Sequence, residues 1–271
     1  MTAQMQIRDI WLYPVKGLRG QSVLEANVEP WGLADDRRWT IVDAKGSFVT
    51  QRTLPRLATI SASVSFGGLI LSALDGSSLV LSTPEPTAGR ADVVIWNDRA
   101  PALIAGREEN AWLSNILGGD YRFAYMDSPC TARQVDPGFG VAADRVSFAD
   151  DFPLLLINRS SLDDLNTRLE HPVDLTRFRA NVVVEHARAW AEDHWQQLEL
   201  GGVRFRVAKA CSRCAVITID QERGLKADDH EPLRTLSRFR RNAGGETIFG
   251  QYLIPDDRGR IKVGDPVRLA Q

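Results

Sequence analysis

The sequence predicts a mainly β protein with a few helices, an α+β class, and three observations predict it. Short runs rich in Val, Ile, Thr and aromatic residues recur along the chain. Turns containing glycine separate them, and helical spacing of apolar residues appears in only three segments. Closely spaced strands joined in this way belong to barrels or sandwiches. At 271 residues the chain suits one large domain or two intimate ones with a substantial core.

Residues 39–43 and 47–51 read as short strands around Ala44-Lys45-Gly46, a hairpin signal. Further strands are predicted at 64–66, 69–72 and 78–82, punctuated by Gly67-Gly68 and Asp75-Gly76, with a loop at 84–89. A helix over 108–117 would bury Ala111, Trp112 and Ile116 and stop at Gly118-Gly119. A second, over 160–170, opens with a box-like Ser160 and Asp163 and carries Leu162, Leu165 and Leu169. After Pro172 the β pattern returns in the β-branched run 181–185. Leu198 and Leu200, then Val203, Phe205 and Val207, alternate across Gly201-Gly202, which predicts a hairpin. Residues 231–241 predict a third helix with Leu233, Leu236 and Phe239 inward, and 249–254 with 261–263 should close the sheet.

The formal net charge is −2, so nothing global draws this chain to nucleic acid or an anionic membrane. Any anion site must come from local clustering of basic residues. The N-terminus shows no basic segment followed by an apolar run, and no stretch approaches the ~20 apolar residues of a spanning helix. Three cysteines, two of them in one CxxC, do not make a disulfide framework, and a reducing cytoplasm is the expected location.

Ala210-Cys211-Ser212-Arg213-Cys214 carries the strongest chemical signal, and it has four readings. A structural zinc site needs about four ligands; only Cys130 and the scattered His171, His186, His194 and His230 remain to supply them. A thioredoxin-like CxxC should open a helix, whereas 203–209 and 215–219 on either side look strand-like. The pair could simply be buried in a core strand. Or one thiolate could be a soft ligand for a single transition metal, with Ser212 and Arg213 beside it. Basic residues elsewhere favour a charged ligand. Lys16 sits in the turn Tyr13-Pro14-Val15-Lys16-Gly17, which also offers a free backbone N–H at Gly17. Arg37 and Arg38 follow Asp35-Asp36, Arg52 ends the first hairpin, and Arg177 and Arg179 precede the 181–185 run. Such groups can converge on a phosphate, although each alone is more often a solvated surface charge.

At these residues the chain resembles a known family. Ile10-Trp11-Leu12-Tyr13-Pro14-Val15-Lys16-Gly17 resembles the opening of the MOSC N-terminal β-barrel domain. Phe178-Arg179-Ala180-Asn181-Val182-Val183-Val184, Glu192-Asp193-His194-Trp195, the CSRC run with Thr218-Ile219-Asp220, and Phe249-Gly250-Gln251-Tyr252 are similar to the MOSC domain proper. Ile261-Lys262-Val263-Gly264-Asp265-Pro266-Val267 resembles its closing strand. Within the family the likeness is to the mitochondrial amidoxime reducing component and to bacterial reductases of N-hydroxylated bases.

The resemblance implies an N-terminal β-barrel-like domain at 1–125 packed on a MOSC β-barrel domain at 126–271. It implies a molybdenum–molybdopterin cofactor (Moco) between them, its metal held by two dithiolene sulfurs and the Cys214 thiolate, with Cys211 structural. Lys16, Gly17, Arg37, Arg179, Asn181, Ser212 and Arg213 would hold the pterin and its phosphate, with Asp151 and Phe152 in contact. Asp150 is the candidate proton relay. The implied activity is reduction of N–O bonds in hydroxylamines, amidoximes or N-hydroxylated bases, a detoxifying reaction, by a monomer needing neither membrane nor nucleic acid. Without four cysteines for an iron–sulfur cluster or a Gly-x-Gly-x-x-Gly fingerprint for NAD, electrons should come from a separate flavoprotein or a ferredoxin- or cytochrome-type donor. Two alternatives are a cofactor carrier or insertion protein, and a sulfur-transfer protein using a Cys214 persulfide.

Overall fold

The structure, a computed structural model, describes residues 4–270. Its frame is an eight-stranded sheet in the order Gln21–Val23, Gln6–Leu12, Val182–Glu185, Leu154–Asn158, Ile248–Pro255, Val203–Ser212, Gln197–Leu200 and Val267–Leu269. Leu154–Asn158 runs parallel to Val182–Glu185, and the helix Arg159–Asn166 lies between them in sequence, as a parallel crossover requires. Every residue of Leu154–Asn158 is buried, because this strand is covered on both faces. On one face Ile10, Leu156, Val182, Phe205 and Leu253 pack together; on the other, Ile157, Leu162, Leu165, Phe178 and Phe249 do.

Beside it lie a four-stranded sheet (Trp39–Asp43, Tyr121–Tyr125, Asp98–Ile104, Arg90–Ile95), a three-stranded meander (Ser61–Ser65, Gly68–Ser72, Ser78–Ser82), a second three-stranded sheet (Gly259–Lys262, Glu25–Glu29, Gly32–Leu33) and a two-stranded pair (Ile219–Asp220, Leu225–Lys226). Trp39, Ile41, Leu57, Ile60, Leu113 and Phe123 form a core beneath the four-stranded sheet and the meander. The mainly β class with a few helices is thus the observed one. Among the described residues, no helix is long and apolar enough to cross a membrane.

Two strands tie the halves of the chain together. Gln6–Leu12 pairs with Val182–Glu185, with Ile7 opposite Val184 and Ile10 opposite Val182. Gly259–Lys262 pairs with Glu25–Glu29, so residues 261–263 do not close the large sheet; Val267–Leu269 forms that edge. The turn after Leu12 is thereby delivered beside Asn181, whose carbonyl accepts the Trp11 N–H at 2.8 Å.

Several sequence expectations shift. The 44–46 turn closes, with the Asp43 carboxylate accepting from the Lys45 and Ser47 N–H groups at 2.9 Å, but 47–51 makes only isolated bridges at Ser47 and Phe48. The helix Arg107–Leu117 ends at left-handed Gly118 as expected, yet it buries Leu113 and Leu117; Trp112 and Ile116 are half-buried and Ala111 is exposed. Asn158, not Ser160, caps Arg159–Asn166 by accepting the Ser160 N–H at 3.1 Å. That helix ends before Leu169, and the third helix is confined to Leu233–Phe239 behind Pro232.

Candidate functional site

Where the two strand systems meet lies a cleft of about 910 Å³, its open mouth included. Its basic end is built on Tyr13, a buried ring that contacts two guanidinium groups, Arg37 and Arg179, each 4.4 Å from the ring centroid. Both arginines have left-handed backbones, at φ +47° and +56°, a conformation that persists only where surrounding contacts fix it. For Arg37 the contacts are explicit. Its Nη1 donates to the buried Asp36 carboxylate and to Asn181 Oδ1 at 2.8 Å, and its Nη2 donates to the Arg179 carbonyl at 3.0 Å. Asp36 also accepts the Tyr13 N–H at 2.8 Å, and Asn181 Nδ2 donates to the Trp11 carbonyl at 3.1 Å. Residues far apart in sequence are locked into one network.

The network leaves donors over. Arg179 Nη1, Arg213 Nη2 and Arg177 Nη1 are buried without a partner, although buried donors are nearly always paired. Burial pulls the Arg179 pKa down to about 10, helped by the Arg37 charge and opposed by Tyr13. It pushes Tyr13 up to about 12 against both arginines, and burial likewise raises Asp36 against Arg37. All three arginines line the cleft, and guanidinium groups with donors left over beside a cavity offer the chemistry of an anion site.

Arg213 is aimed by its own backbone acceptors: Nε donates to Phe249 O at 2.8 Å and Nη1 to Phe178 O at 3.0 Å. Gly250, at φ +78°, permits this bulge; a Cβ there would sit 2.6 Å from the Leu156 carbonyl. Lys16 is buried and ion-paired with Asp150. Burial lowers the Lys16 pKa against the pull of Asp150. Desolvation acts to raise Asp150, but the Lys16 ammonium, with help from Arg52 and Trp96, holds it down to about 2.

The two cysteines of the CxxC face different environments. Cys211 is 3% exposed, packed with Leu155, Ile157, Ile217 and Phe249, and burial pushes its thiol pKa up. Cys214 lies beyond the end of Val203–Ser212, exposed at the cleft, where Arg52 Nη1 donates to its Sγ at 3.4 Å. The run after it is not strand-like as expected. Ala215–Thr218 is a single 3₁₀ turn, closed by the Ile217 N–H on Cys214 O at 3.3 Å and the Thr218 hydroxyl on Ala215 O at 2.7 Å. Among the described residues, no three His, Cys, Asp or Glu side chains come together as a metal cage.

Lys16, Gly17, Arg37, Asp150, Phe152, Arg179, Asn181, Ser212, Arg213 and Cys214 therefore all line one cleft. Asp151 does not line it and is exposed. Phe152 is buried and stacks on Tyr252 at 4.8 Å.

Residues 4–120 match the MOSC N-terminal beta barrel domain, and residues 143–268 match the MOSC domain. The chain is 34% identical to the human mitochondrial amidoxime-reducing component 1, over 97% of this chain and 82% of that protein. The chain belongs to the MOSC family. It is 32% identical to the human mitochondrial amidoxime reducing component 2, over 96% of this chain and 82% of that protein. A molybdenum cofactor sulfurase of Oryza sativa subsp. japonica is 29% identical over 94% of this chain but only 33% of its own length. In this MOSC protein the N-terminal region contributes Lys16, Gly17, Arg37 and Arg52 to the cleft, and the MOSC domain contributes Asp150 and the residues from Phe152 onward.

Sequence reasoning missed Tyr13 as the platform under both arginines; nothing in a turn tyrosine announces that. Gln51, which donates to the Gly17 carbonyl at 2.7 Å, carried no signal either, and Tyr252 appeared only within a family-like run, not as a cleft residue. Arg52 and Arg177 stood out only as basic residues.

Proposed function

We propose that the cleft holds a molybdenum–molybdopterin cofactor and that the protein reduces N-hydroxylated small molecules with electrons from a separate partner. One observation carries this reading: an exposed thiol and several unpartnered buried guanidinium donors share one cleft. A group with a thiophilic metal at one end and a phosphate at the other satisfies both. When bound, it would supply a redox-active molybdenum able to accept the oxygen of an N–O bond.

The residues divide the work. Cys214 ligates the metal, and further donors come from the cofactor's dithiolene. Arg37 and Arg179, fixed on Tyr13, take the phosphate, with Lys16 and Asn181 completing that end. Gly17, Ser212 and Arg213 face the pterin's polar edge, and Phe152 with Tyr252 closes an apolar wall that limits water. Asp150, held at about pKa 2, stays ionised near neutral pH and stores no proton. We assign it to orienting the Lys16 ammonium rather than to relaying protons.

The names of the human relatives support amidoximes and related N-hydroxylated compounds as the substrate class. With Cys214 on the metal, this chain has Cys130 and Cys211 left, and an iron–sulfur cluster usually takes four thiolates. The electron donor is therefore a flavoprotein or a ferredoxin- or cytochrome-type protein. A monomer in a reducing cytoplasm completes the reading. The likeness to a cofactor sulfurase, together with the exposed Cys214, supports a second one, sulfur transfer through a Cys214 persulfide.

The test is turnover by the purified chain from a molybdenum-competent host. Reduced viologen should drive reduction of an amidoxime or hydroxylamine, with about one molybdenum per chain. Molybdenum-free protein would favour sulfur transfer, and loaded but inert protein would favour a carrier. Steady turnover with NADH and no second protein would refute the separate donor.

A further inference from the structure

Two residues that line the cleft, Arg52 and Asp150, are backed by an element outside the assignments above. It is the hairpin between Arg90–Ile95 and Asp98–Ile104, whose two-residue loop is Trp96-Asn97. Trp96 has φ +53° and is 47% exposed. A tight hairpin loop needing positive φ ordinarily takes Gly, Asn or Asp there, and a bulky residue in that region is strained unless its surroundings hold it.

What holds it points at the site. The Trp96 ring packs edge-on against Phe48 at 5.1 Å, and Phe48 lies 5.2 Å beneath the Lys16 ammonium. The Trp96 face carries the Arg52 guanidinium at 4.5 Å, and Trp96 is among the groups that hold the Asp150 pKa down. Arg52 is an exposed side chain, and such a chain would normally sample many rotamers. Here it is stacked on one side and donates to Cys214 Sγ on the other.

We propose that Arg52, clamped by Trp96, is a positioning residue for the Cys214 sulfur: it fixes the direction of the sulfur lone pairs and places a positive charge beside them. The inference deepens the assignment of Cys214 as metal ligand and rests on it for its consequence, because a ligand's orientation and charge environment tune the metal it holds. The contact itself stands on geometry alone.

The experiment uses the full chain from a host that makes no pterin cofactor. Cys214 is alkylated at one pH and low salt with anionic iodoacetate and with neutral iodoacetamide, and the modified peptides are quantified by mass. The ratio of the two rates cancels the thiolate fraction and reads the charge beside the sulfur. The exposed Cys130 is an internal reference. A unit charge about 4 Å away in a watery setting is worth about fivefold in that ratio. In R52Q the ratio should fall about that much at Cys214 and stay constant at Cys130. R52K should keep part of it, since it retains the charge without the planar fork. W96G relieves the backbone strain, so Tm should hold or rise while the ratio falls to an intermediate value. An unchanged ratio in folded R52Q overturns the proposal, and a wild-type ratio in W96G overturns the clamp. If Cys214→Ser from a molybdenum-competent host keeps full metal content, the ligand assignment fails instead, and the alkylation result stands apart from it.

Discussion

The two ends of the cleft are built on opposite principles. At the basic end nearly everything is buried and fixed. Arg37 has three acceptors, two guanidinium groups contact one buried tyrosine, and Asn181 joins segments from both halves of the chain. At the other end Cys214 and Arg52 are exposed, and the Asp150 side chain is 49% exposed. The buried end carries desolvation strain, visible in the lowered Arg179 and raised Asp36 pKa values. An anion beside the unpartnered Arg179 donor would relieve the arginine's share of it. On the proposed function, the open end would admit a substrate and release water, and its groups are accessible for that. The proposed anchoring and reaction would thereby be separated in one cavity.

Removing the thiol from each environment should give the largest contrast. Cys214→Ala is expected to abolish molybdenum-dependent reduction. Cys211→Ala should keep most activity and cost about 1 kcal/mol of stability as a small cavity, read by steady-state rates and Tm. Loss of activity in folded, metal-loaded Cys211→Ala would reverse the assignment.

The basic end should respond next. A charge-assisted bond to phosphate contributes about 1.5–3 kcal/mol, so Arg179→Ala should weaken cofactor retention roughly tenfold to a hundredfold with little change in the cofactor-free Tm. Arg37→Ala should do that and also destabilise the empty protein by about 3–5 kcal/mol, because it strands the buried Asp36. Equal Tm values for the two cofactor-free variants would contradict the network.

Much of the framework was legible in the sequence, for a physical reason. A strand with one wet face alternates, as Gln197–Leu200 and the first residues of Val203–Ser212 do across their glycine turn. Leu154–Asn158, buried on both faces, shows no alternation and went unread. The hairpin at Trp96-Asn97 lacks glycine and carries Pro101 in its second arm, which demotes a strand pattern. The site's residue types were visible as motifs, but their meeting was not. Pairing of Gln6–Leu12 with Val182–Glu185 brings Tyr13 between Arg37 and Arg179, and no local pattern encodes that pairing. Likewise the CxxC run alone left four readings open; the burial of Cys211 and exposure of Cys214 separate the two thiols.

At the open end the effects should be smaller and pH-dependent. The Asp150 pKa is depressed from the usual 3.8 to about 2. Its contribution is therefore fully present above about pH 4 and is lost as pH falls through 2. Discounted for its half-open side chain, that contribution is about 1 kcal/mol. The Tm gap between wild type and Asp150→Asn should be constant near neutral pH and shrink between pH 4 and 2; a gap that widens there would contradict the ion pair. Asp151→Asn, outside the cleft, should change stability and cofactor retention by less than about 0.5 kcal/mol, measured by Tm and occupancy.

The claim at the centre is that the exposed cysteine, and not its buried neighbour, binds the metal. X-ray absorption at the molybdenum edge measures this directly on wild-type, Cys211→Ser and Cys214→Ser proteins from a molybdenum-competent host. Wild type and Cys211→Ser should each show two dithiolene sulfurs plus one thiolate. Cys214→Ser should lose one sulfur neighbour or lose the metal. An unchanged sulfur shell in Cys214→Ser, or the loss appearing in Cys211→Ser instead, would contradict the account.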